Sequence, residues 1–394
     1  MPKRFVFALL IVFASMIMPV LMMPGIVRSQ NAGKDAGAAS SPSGVPASRL
    51  AHLRRGINLS HWFSQSPGND YSENYLRTHT TERDIALIKS LGFDHVRFTV
   101  NPAPLTDKSD PALLNPEYLS HLDRALDMIL ASGLSVVVDL HPSDEFKIKL
   151  RTDDRAVMAF ADFWRSLARH LARRDPERVF LEILNEPMVE DPYRWIGIQA
   201  RVAAAIREGA PRHTIIATGP RWSAVDQLLL LEPLADRNVI YNFHFYEPHT
   251  FTHQGATWGA DYWPYIKNIP YPSSPEIIAA LPTVEQQSAQ GALKAYGEER
   301  WNAERIERTI SLAADWGRKH NVPLTCNEFG VFRNFSPPAS RLRWIEDVRT
   351  ALERHGIGWA MWDYAGSFGV ATKKDGSATP DPQTVAALGL RAPK

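Results

Sequence analysis

The sequence predicts an α/β protein built as one (β/α)8 barrel, the TIM-barrel architecture. Three observations lead to this prediction: eight short runs rich in β-branched and aromatic residues, segments of helical period between them, and a length that suits one large barrel. Of the 394 residues, 44% are hydrophobic, enough to bury a sizeable core. The predicted strands span residues 55–60, 95–100, 134–141, 178–186, 213–219, 238–247, 322–330 and 357–364.

Helix-forming patterns separate these strands. Thr81 and Asp84 form a capping-box pattern, and Asn115 with Pro116 opens a second helix. A third helix carries apolar residues on one face between 157 and 171. Eight alternating units favour a closed barrel over an open doubly wound sheet. No glycine-rich phosphate loop follows any strand, which lowers the case for nucleotide binding.

Charge and cysteine content exclude several classes of protein. Lys and Arg total 44 against 43 for Asp and Glu, so no positive excess exists to attract nucleic acid. The single cysteine, Cys326, excludes an intramolecular disulfide and a cysteine-based zinc site. We expect no cofactor, no metal and a monomeric protein.

The N-terminus is typical of an exported protein. Lys3 and Arg4 precede an apolar run, residues 5–23, which predicts either a signal peptide over residues 1–29 or a membrane tether through residues 5–27. Both interpretations place the rest of the chain outside the cytoplasm, in the periplasm or the extracellular space.

Composition also divides the remainder of the chain. Residues 30–50 are rich in Ala, Gly, Ser and Pro, which predicts a flexible linker before a catalytic domain over residues 51–394. The connection after strand six is unusually long, covering residues 248–300. A long insertion of this kind is usually functional, and here it would hang over the C-terminal face of the barrel.

Two carboxylates occupy the positions where a barrel places its active site. Glu186 ends predicted strand four and Glu328 ends predicted strand seven. Because these strands lie roughly across the barrel from each other, their terminal side chains can converge on one bond. A glycosidic bond needs such a pair, one acid to protonate the departing oxygen and one carboxylate to attack the anomeric carbon.

Six short motifs accompany the two glutamates at successive strand ends. VRF, DLH, NEP, HFY, NEFG and WDY occur in this order between Arg55 and Tyr364. Together they resemble glycoside hydrolase family 5, the cellulase-like retaining (β/α)8 hydrolases with catalytic Glu residues on strands four and seven.

The resemblance implies roles for individual residues. Glu186 would be the general acid/base and Glu328 the nucleophile. Asn185 would donate to the sugar 2-hydroxyl, and Arg97, at the end of strand two, and Tyr246 would keep Glu328 ionised. We also expect Glu186, which starts protonated, to lie in a less cationic and more desolvated environment.

Three further residues are candidates for sugar binding. His141 and His244 look like subsite histidines, and Trp362 looks like an aromatic floor that stacks on a sugar ring. For each of them, packing in the barrel interior is the alternative. Trp258, Tyr262 and Trp263 of the insertion could form outer sugar platforms, and loop packing explains them equally well. His61 and Trp62, after strand one, could also reach the cleft, with packing as the alternative.

Several other polar residues are predicted to have structural roles. Glu182 and Asp139 share the inward strand faces of the site residues, where an ion pair with a buried base is expected. Cys326 is expected to be a small buried filler. His244, His249 and His253 lack the spacing of a metal site.

These observations predict a retaining hydrolase of β-glucan, foremost an endo-β-1,4-glucanase. Alternatives within the family are a β-1,3-glucanase, a β-mannanase or an enzyme that processes an exopolysaccharide. Asn327 stands where many relatives carry Gly, which leaves subfamily and substrate open. An alternative of another class is a carbohydrate-binding envelope protein without catalysis.

Overall fold

The computed structural model describes residues 44–107, 110 and 112–391. Eight parallel strands form a closed barrel in chain order, and the last strand pairs with the first. The strands are β1 (Arg55–Phe63), β2 (His95–Val100), β3 (Ser135–Leu140), β4 (Val179–Glu182), β5 (Thr214–Thr218), β6 (Val239–Phe245), β7 (Leu324–Phe329) and β8 (Gly358–Met361). The predicted barrel is therefore confirmed, with each predicted strand at its expected place.

Helices surround the barrel and fill its connections. They are α1 (Ala47–Ala51), α2 (Glu73–Thr78), α3 (Glu82–Ser90), α4 (Pro102–Leu105), α5 (Pro116–Ala131), α6 (Asp144–Lys149), α7 (Asp154–Leu171), α8 (Pro192–Gly209), α9 (Val225–Leu228), α10 (His249–Thr252), α11 (Pro275–Ala279), α12 (Gln287–Glu298), α13 (Ala303–His320), α14 (Pro338–Arg354) and α15 (Pro382–Ala387). A hairpin of β9 (Ala371–Lys374) and β10 (Ser377–Pro380) follows β8.

Local capping explains where the predicted helices begin. Thr81 and Asp84 form the capping box of α3, each satisfying a backbone N–H that the first helical turn leaves free. The side chain of Asn115 accepts hydrogen bonds from two backbone N–H groups at the start of α5. The apolar stripe of α7 is buried against the barrel, as predicted.

Strand four is shorter than predicted. Its regular pairing ends at Glu182, although the backbone N–H groups of Ile183 and Asn185 still donate to the neighbouring strands on either side. The chain therefore leaves the ladder gradually, and Glu186 lies just beyond the strand at the mouth of the barrel.

The folded domain begins earlier than predicted. Val45 packs with Leu53 and with inward side chains of the barrel strands at the N-terminal end. Arg49 of α1 donates to Glu177 at 2.8 Å and to the backbone oxygen of Arg212 at 2.7 Å. Residues 44–50, predicted as linker, therefore close the bottom of the barrel. The remainder of that linker and the predicted signal segment lie outside the described residues.

The long insertion contains more regular structure than predicted. It includes α10, α11 and α12, although the sequence suggested little helical period before residue 301. Gly291 and Gly297 weaken the helix propensity of α12, while Ala289, Leu293 and Tyr296 are buried on one face. Burial of that face, which propensity alone does not reveal, therefore stabilises the helix. No helix within residues 44–391 that the structure describes combines the length and apolar character needed to cross a bilayer.

Candidate active site

A buried arginine lies at the centre of the barrel mouth. Arg97 is the third residue of β2, so it lies within the strand and not at its end as predicted. It has no exposed surface, and its five N–H groups make five hydrogen bonds of 2.6–2.9 Å. The acceptors belong to four side chains, namely Asn58, Glu182, Asn185 and Glu328. Asp139 adds an ion pair at 3.2 Å.

Glu328 is held by charge-assisted and neutral donors. It lies in β7, where the pairing with β6 shifts register next to His244. Arg97 Nη1 donates to its Oε1 at 2.6 Å, and the Tyr246 hydroxyl donates to its Oε2 at 2.9 Å. Both oxygens are therefore bound in a nearly buried site, with a side-chain exposure of 5%. The two donors therefore fix the orientation of the carboxylate.

Glu186 faces Glu328 in a different environment. The partner of its carboxylate is His244, whose Nδ1 lies 2.9 Å from Oε1. One oxygen of Glu186 and one of Glu328 lie within 4.8 Å of each other. Retaining glycosidases have carboxyl groups about 5–5.5 Å apart, closer than the about 6.5–9.5 Å of inverting ones, and this close approach favours retention.

The predicted difference between the environments of the two carboxyl groups is correct for charge and wrong for desolvation. Glu186 has no Lys or Arg partner among the described ion pairs, as expected, whereas Glu328 contacts Arg97. The desolvation was predicted wrongly, because the Glu186 side chain is 26% exposed against 5% for Glu328. A group that protonates a leaving sugar must border the open cleft, whereas a nucleophile can lie at its floor.

Hydrogen bonds fix the orientation of Asn185. Its Oδ1 accepts from Arg97, and its Nδ2 donates to Nε2 of His141 at 3.2 Å. His141 Nε2 therefore carries no proton, and its Nδ1–H donates to Asp139 at 3.0 Å. Because an amide has two N–H groups, the second is available to another acceptor; its donation to a sugar hydroxyl stays a prediction.

Trp362 lies beside this network. Its indole stacks on the imidazole of His141, with ring centroids 5.7 Å apart and an interplanar angle of 23°. The structure thus brings together the predicted catalytic pair and the predicted binding residues Arg97, Asn185, His141, His244, Tyr246 and Trp362.

This geometry agrees with comparisons to known proteins. The sequence model of the family Cellulase (glycosyl hydrolase family 5) matches residues 55–367. The chain belongs to glycosyl hydrolase family 5. Endoglucanase C of Acetivibrio thermocellus is 30% identical over 321 residues, which cover 80% of this chain and 92% of that protein. Cellodextrinase A of Ruminococcus flavefaciens is 28% identical over 312 residues, 77% of this chain and 83% of that protein.

Solved structures share the fold of this family 5 chain. Cellulose synthase subunit Z of Clostridioides difficile has a TM-score of 0.70 and 24% identity, and covers 85% of this chain and 99% of its own. Endoglucanase Cel5A of Thermotoga maritima also has a TM-score of 0.70, with 23% identity over 86% of this chain and 98% of its own.

The weaker candidates of this family 5 chain lie in the insertion and after strand one, and they differ in burial and contacts. Trp263 is buried and stacks on His253 with centroids 4.5 Å apart, so it packs the insertion. Trp258 is exposed and touches Phe332 edge-on. Trp62 is buried in the core, where its indole donates to a backbone oxygen, whereas His61 is partly exposed beside Asp363.

The structural assignments of Glu182 and Asp139 are confirmed. Glu182 accepts two hydrogen bonds from Arg97. It also accepts from Asn327 at 2.7 Å and from Asn242 at 3.3 Å. The Asn327 side chain therefore supports the ion cluster beneath Glu328. Cys326 is fully buried, as predicted.

Sequence reasoning missed two residues of this cluster. Asn58 accepts from Arg97 and donates to the backbone oxygen of Asn327 at 2.9 Å, while Asn242 accepts from the Asn327 N–H at 2.9 Å. Both are amides at inward positions of otherwise apolar strands. A polar residue in such a strand requires a buried partner, and that pattern could have identified both.

One triad of the site also resembles a set of metal ligands. Single ligand atoms of Glu186, His244 and Glu328 lie within 4.8 Å of one another. The guanidinium of Arg97 and the hydroxyl of Tyr246 already occupy both oxygens of Glu328, and the positive charge opposes a cation there. The absence of a metal in the reaction stays a prediction.

Burial changes the protonation of several groups. Desolvation lowers the pKa of His141 to about 3 and that of His244 to about 4, with the nearby charge of Arg97 acting in the same direction. Both imidazoles are therefore neutral over the range in which the protein would work. Desolvation raises the pKa of Asp139 to about 6, and the positive charge of Arg97 opposes that rise.

These shifts predict how stability depends on pH. Unfolded histidines take up protons near pH 6.5, whereas His141 and His244 do so only near pH 3 to 4, so they lower the free energy of unfolding as the pH falls below 6.5. His79 and His213, each with a pKa lowered by burial to about 4, act in the same direction. Asp139 acts oppositely, because its native pKa is raised and it binds a proton as the pH falls through 6.

Urea unfolding of the wild type and Asp139→Asn at pH 6.5, 5.5 and 4.5 tests this balance. We expect the free energy of unfolding to fall with pH in both proteins. The fall should be steeper in the variant by about 1.4 kcal/mol per pH unit around pH 5, since the opposing proton is lost. Equal slopes, or stability that rises on acidification, would contradict the assignment.

Proposed function

We propose that this family 5 protein is an endo-β-1,4-glucanase that hydrolyses β-glucan with retention at the anomeric carbon. The observation that carries the proposal is the pair Glu186 and Glu328, with oxygens within 4.8 Å of each other and only Glu328 bound by a guanidinium. The 30% identity to an endoglucanase along 80% of the chain supports the choice of linkage.

In the first step Glu328 acts as the nucleophile. Its carboxylate forms a bond to the anomeric carbon while the bond from that carbon to the leaving oxygen breaks, and Glu186 transfers its proton to that oxygen. A covalent glycosyl-enzyme results. Arg97 and Tyr246 hold the attacking carboxylate in one orientation, so less motion is needed to reach the transition state.

In the second step the roles reverse. The ionised Glu186 takes a proton from water, the water oxygen bonds to the anomeric carbon, and the bond to Glu328 breaks. Double inversion gives net retention and consumes one water molecule. His244 lies between the two carboxyl groups, 2.9 Å from Glu186 and 3.6 Å from Glu328, and as a neutral ring it adds no charge that would oppose either proton transfer.

The remaining groups would bind the reacting sugar. The free N–H of Asn185 would donate to the 2-hydroxyl, a bond that strengthens as positive charge develops on the ring. The indole of Trp362, held against His141, would offer its face to the apolar C–H face of the sugar. Both residues thus favour one orientation of the substrate.

Trapping the intermediate tests the catalytic assignments. Incubation with a 2-deoxy-2-fluoro β-cellobioside bearing a good leaving group should label Glu328, because the fluorine slows hydrolysis of the glycosyl-enzyme. Peptide mass spectrometry identifies the labelled residue. Glu328→Gln should lose at least about 10⁴-fold in kcat, whereas Glu186→Ala should retain hydrolysis of activated aryl glycosides and yield a β-glycosyl azide with added azide.

The exposed Glu304→Gln in α13 is the matched control and should keep wild-type activity. Label on any other residue, or an inverted first product, would contradict the mechanism.

A panel of β-1,4-, β-1,3- and mixed-linkage glucans and mannan tests which substrate the protein hydrolyses. Loss of viscosity ahead of reducing-end release on a β-1,4-glucan supports endo action, and survival of cello-oligosaccharides while another linkage is cut would overturn the choice of linkage.

We also propose that the protein is exported, on the strength of Lys3, Arg4 and the apolar residues 5–23. Cell fractionation followed by N-terminal sequencing tests this proposal. A soluble exported form that begins at Gln30 indicates a cleaved signal peptide, whereas the full chain in the membrane fraction indicates a tether. Wild-type protein in the cytosol would contradict export.

A further inference from the structure

The end of the barrel opposite the mouth carries basic side chains without ionic partners. Arg54 directly precedes β1, Arg212 lies two residues before β5, and Lys319 lies in the last turn of α13, ahead of β7. Since all eight strands are parallel, their first residues lie at one end of the barrel. We call this end, formed by α1 and by the residues just before each strand, the basal face. All three side chains are exposed, and no ion pair among the described residues includes any of them.

The carboxylates of the basal face leave an excess of positive charge there. Three of them already form ion pairs with arginines of the same face: Glu177 with Arg49 at 2.8 Å, Asp236 with Arg207 at 2.7 Å, and Glu353 with Arg55 at 3.3 Å. Three other acids of this face pair with no Lys or Arg among the described residues, namely Asp94, Asp175 and Glu232. Six basic residues of this face pair with no carboxylate among the described residues, namely Arg54, Lys89, Arg169, Arg178, Arg212 and Lys319.

Helix dipoles explain only part of this excess. Lys89, Arg169 and Lys319 lie in last helical turns, where a basic side chain faces the negative end of the dipole. Arg54 and Arg212 lie outside the helices and are nevertheless exposed. Unpaired charge of one sign on such a surface is typical of association with a partner of the opposite charge.

A groove on the basal face has both charged and apolar walls. Its volume is about 550 Å³, and its apolar lining includes Leu50 of α1, Val322 and Ile357. Arg54 and Arg318 also line it. A guanidinium can donate two parallel N–H groups to a phosphate, and apolar walls suit the carbon chain of a phosphate ester. The groove therefore fits the phosphate and adjoining glycerol of a phospholipid.

The chain enters the part that the structure describes at this same face. Gly44 packs so closely on Arg237, the second residue before β6, that a Cβ on Gly44 would lie 2.6 Å from the Arg237 Cβ. In the sequence, residues 24–43 separate Gly44 from the apolar run of residues 5–23. Even fully extended, these 20 residues reach only about 70 Å, so a chain inserted through that run would hold the basal face within that distance of the bilayer.

We propose that the basal face docks on a membrane surface of anionic phospholipids, with a lipid phosphate in the groove beside Arg54. Opposite charges attract the two surfaces over roughly 8–10 Å at physiological salt, and the groove fixes the contact. The mouth, with Glu186 and Glu328, then opens away from the bilayer. The proposal rests on the proposed export through residues 5–23 and does not depend on the proposed reaction.

Hydrogen–deuterium exchange of the full chain in lipid nanodiscs tests this docking. Discs of phosphatidylcholine with about 30% phosphatidylglycerol are compared with discs of phosphatidylcholine alone. We expect peptides covering residues 52–55 and 211–213 to exchange at least about 3-fold more slowly in the anionic discs, while peptides covering residues 221–223 at the mouth are unchanged. About 0.5 M salt should abolish the difference, because it screens the attraction.

Reversal of three basal charges tests the residues themselves. Arg54→Glu/Arg212→Glu/Lys319→Glu should exchange at the same rate in both kinds of disc, because the attraction to anionic lipid is lost. Its circular dichroism should match that of the wild type, since all three side chains are exposed and none belongs to an ion pair of the described residues.

The matched control reverses three exposed basic residues toward the mouth. Arg83 and Arg155 lie in the first turns of α3 and α7, and Lys374 lies in β9, which follows the last barrel strand. Arg83→Glu/Arg155→Glu/Lys374→Glu changes the net charge by the same amount and should keep the wild-type difference between the two kinds of disc.

Equal exchange of the wild type in both kinds of disc, protection of the mouth peptides instead, or equal effects of the two triple variants would overturn the proposal. Hydrolysis of β-cellobiosyl fluoride on the same preparations tests the proposed function separately, and cell fractionation tests export. A wild type that docks but hydrolyses no glycoside would refute the proposed function and leave the docking supported.

Discussion

The site depends on the burial of one guanidinium among three carboxylates. Arg97 is fully buried, and its five N–H groups bind acceptors from β1, β4 with its following loop, and β7, while β3 contributes Asp139. An unpaired charge in such a place costs several kcal/mol, so each partner must be present for the others to be tolerated. The cluster therefore ties five of the eight strands, including β2 with Arg97 itself, to a common geometry at the mouth of the barrel.

This constraint gives Glu186 and Glu328 different environments. Glu328 belongs to the buried cluster, which supplies positive charge and fixed donors, and Glu186 lies outside it, next to a neutral histidine and partly open to the cleft. The surroundings of the two glutamates therefore suit them to different chemical roles. The further contact of Asn185 with Arg97 extends the same cluster toward the sugar.

Much of this arrangement could be predicted from the sequence. The eight strands followed from short β-branched runs, and Glu182 and Asp139 followed from the alternation of side chains along strands, since the fold class fixes which face is inward. The motifs at strand ends indicated Glu186, Glu328 and the side chains that contact them, and the structure brings these residues together; their catalytic and binding roles stay predictions. Cases where local chemistry sets the structure, such as the Thr81–Asp84 capping box, were also predictable.

Other features depend on tertiary contacts that no local pattern encodes. Residues 44–50 resemble a linker in composition, but Val45 and Arg49 find partners at the bottom of the barrel. The turn at Trp222 and Ser223 has no motif of its own, and two distant segments hold it, residues 185–189 and His244. The partial exposure of Glu186 was predicted wrongly, because a group that protonates a leaving sugar must be accessible to that sugar as well as protonated.

Replacement of Arg97 by Lys tests whether the fixed donors of the guanidinium hold the site. Lysine keeps the positive charge but cannot reproduce five fixed N–H donors, so we expect a loss of about 100-fold or more in kcat/KM for β-cellobiosyl fluoride and a free energy of unfolding lower by about 3 kcal/mol. The measurement is made on protein shown to be folded by circular dichroism. A variant that retains activity within about 3-fold of the wild type would show that charge alone suffices and that the five donors are not required.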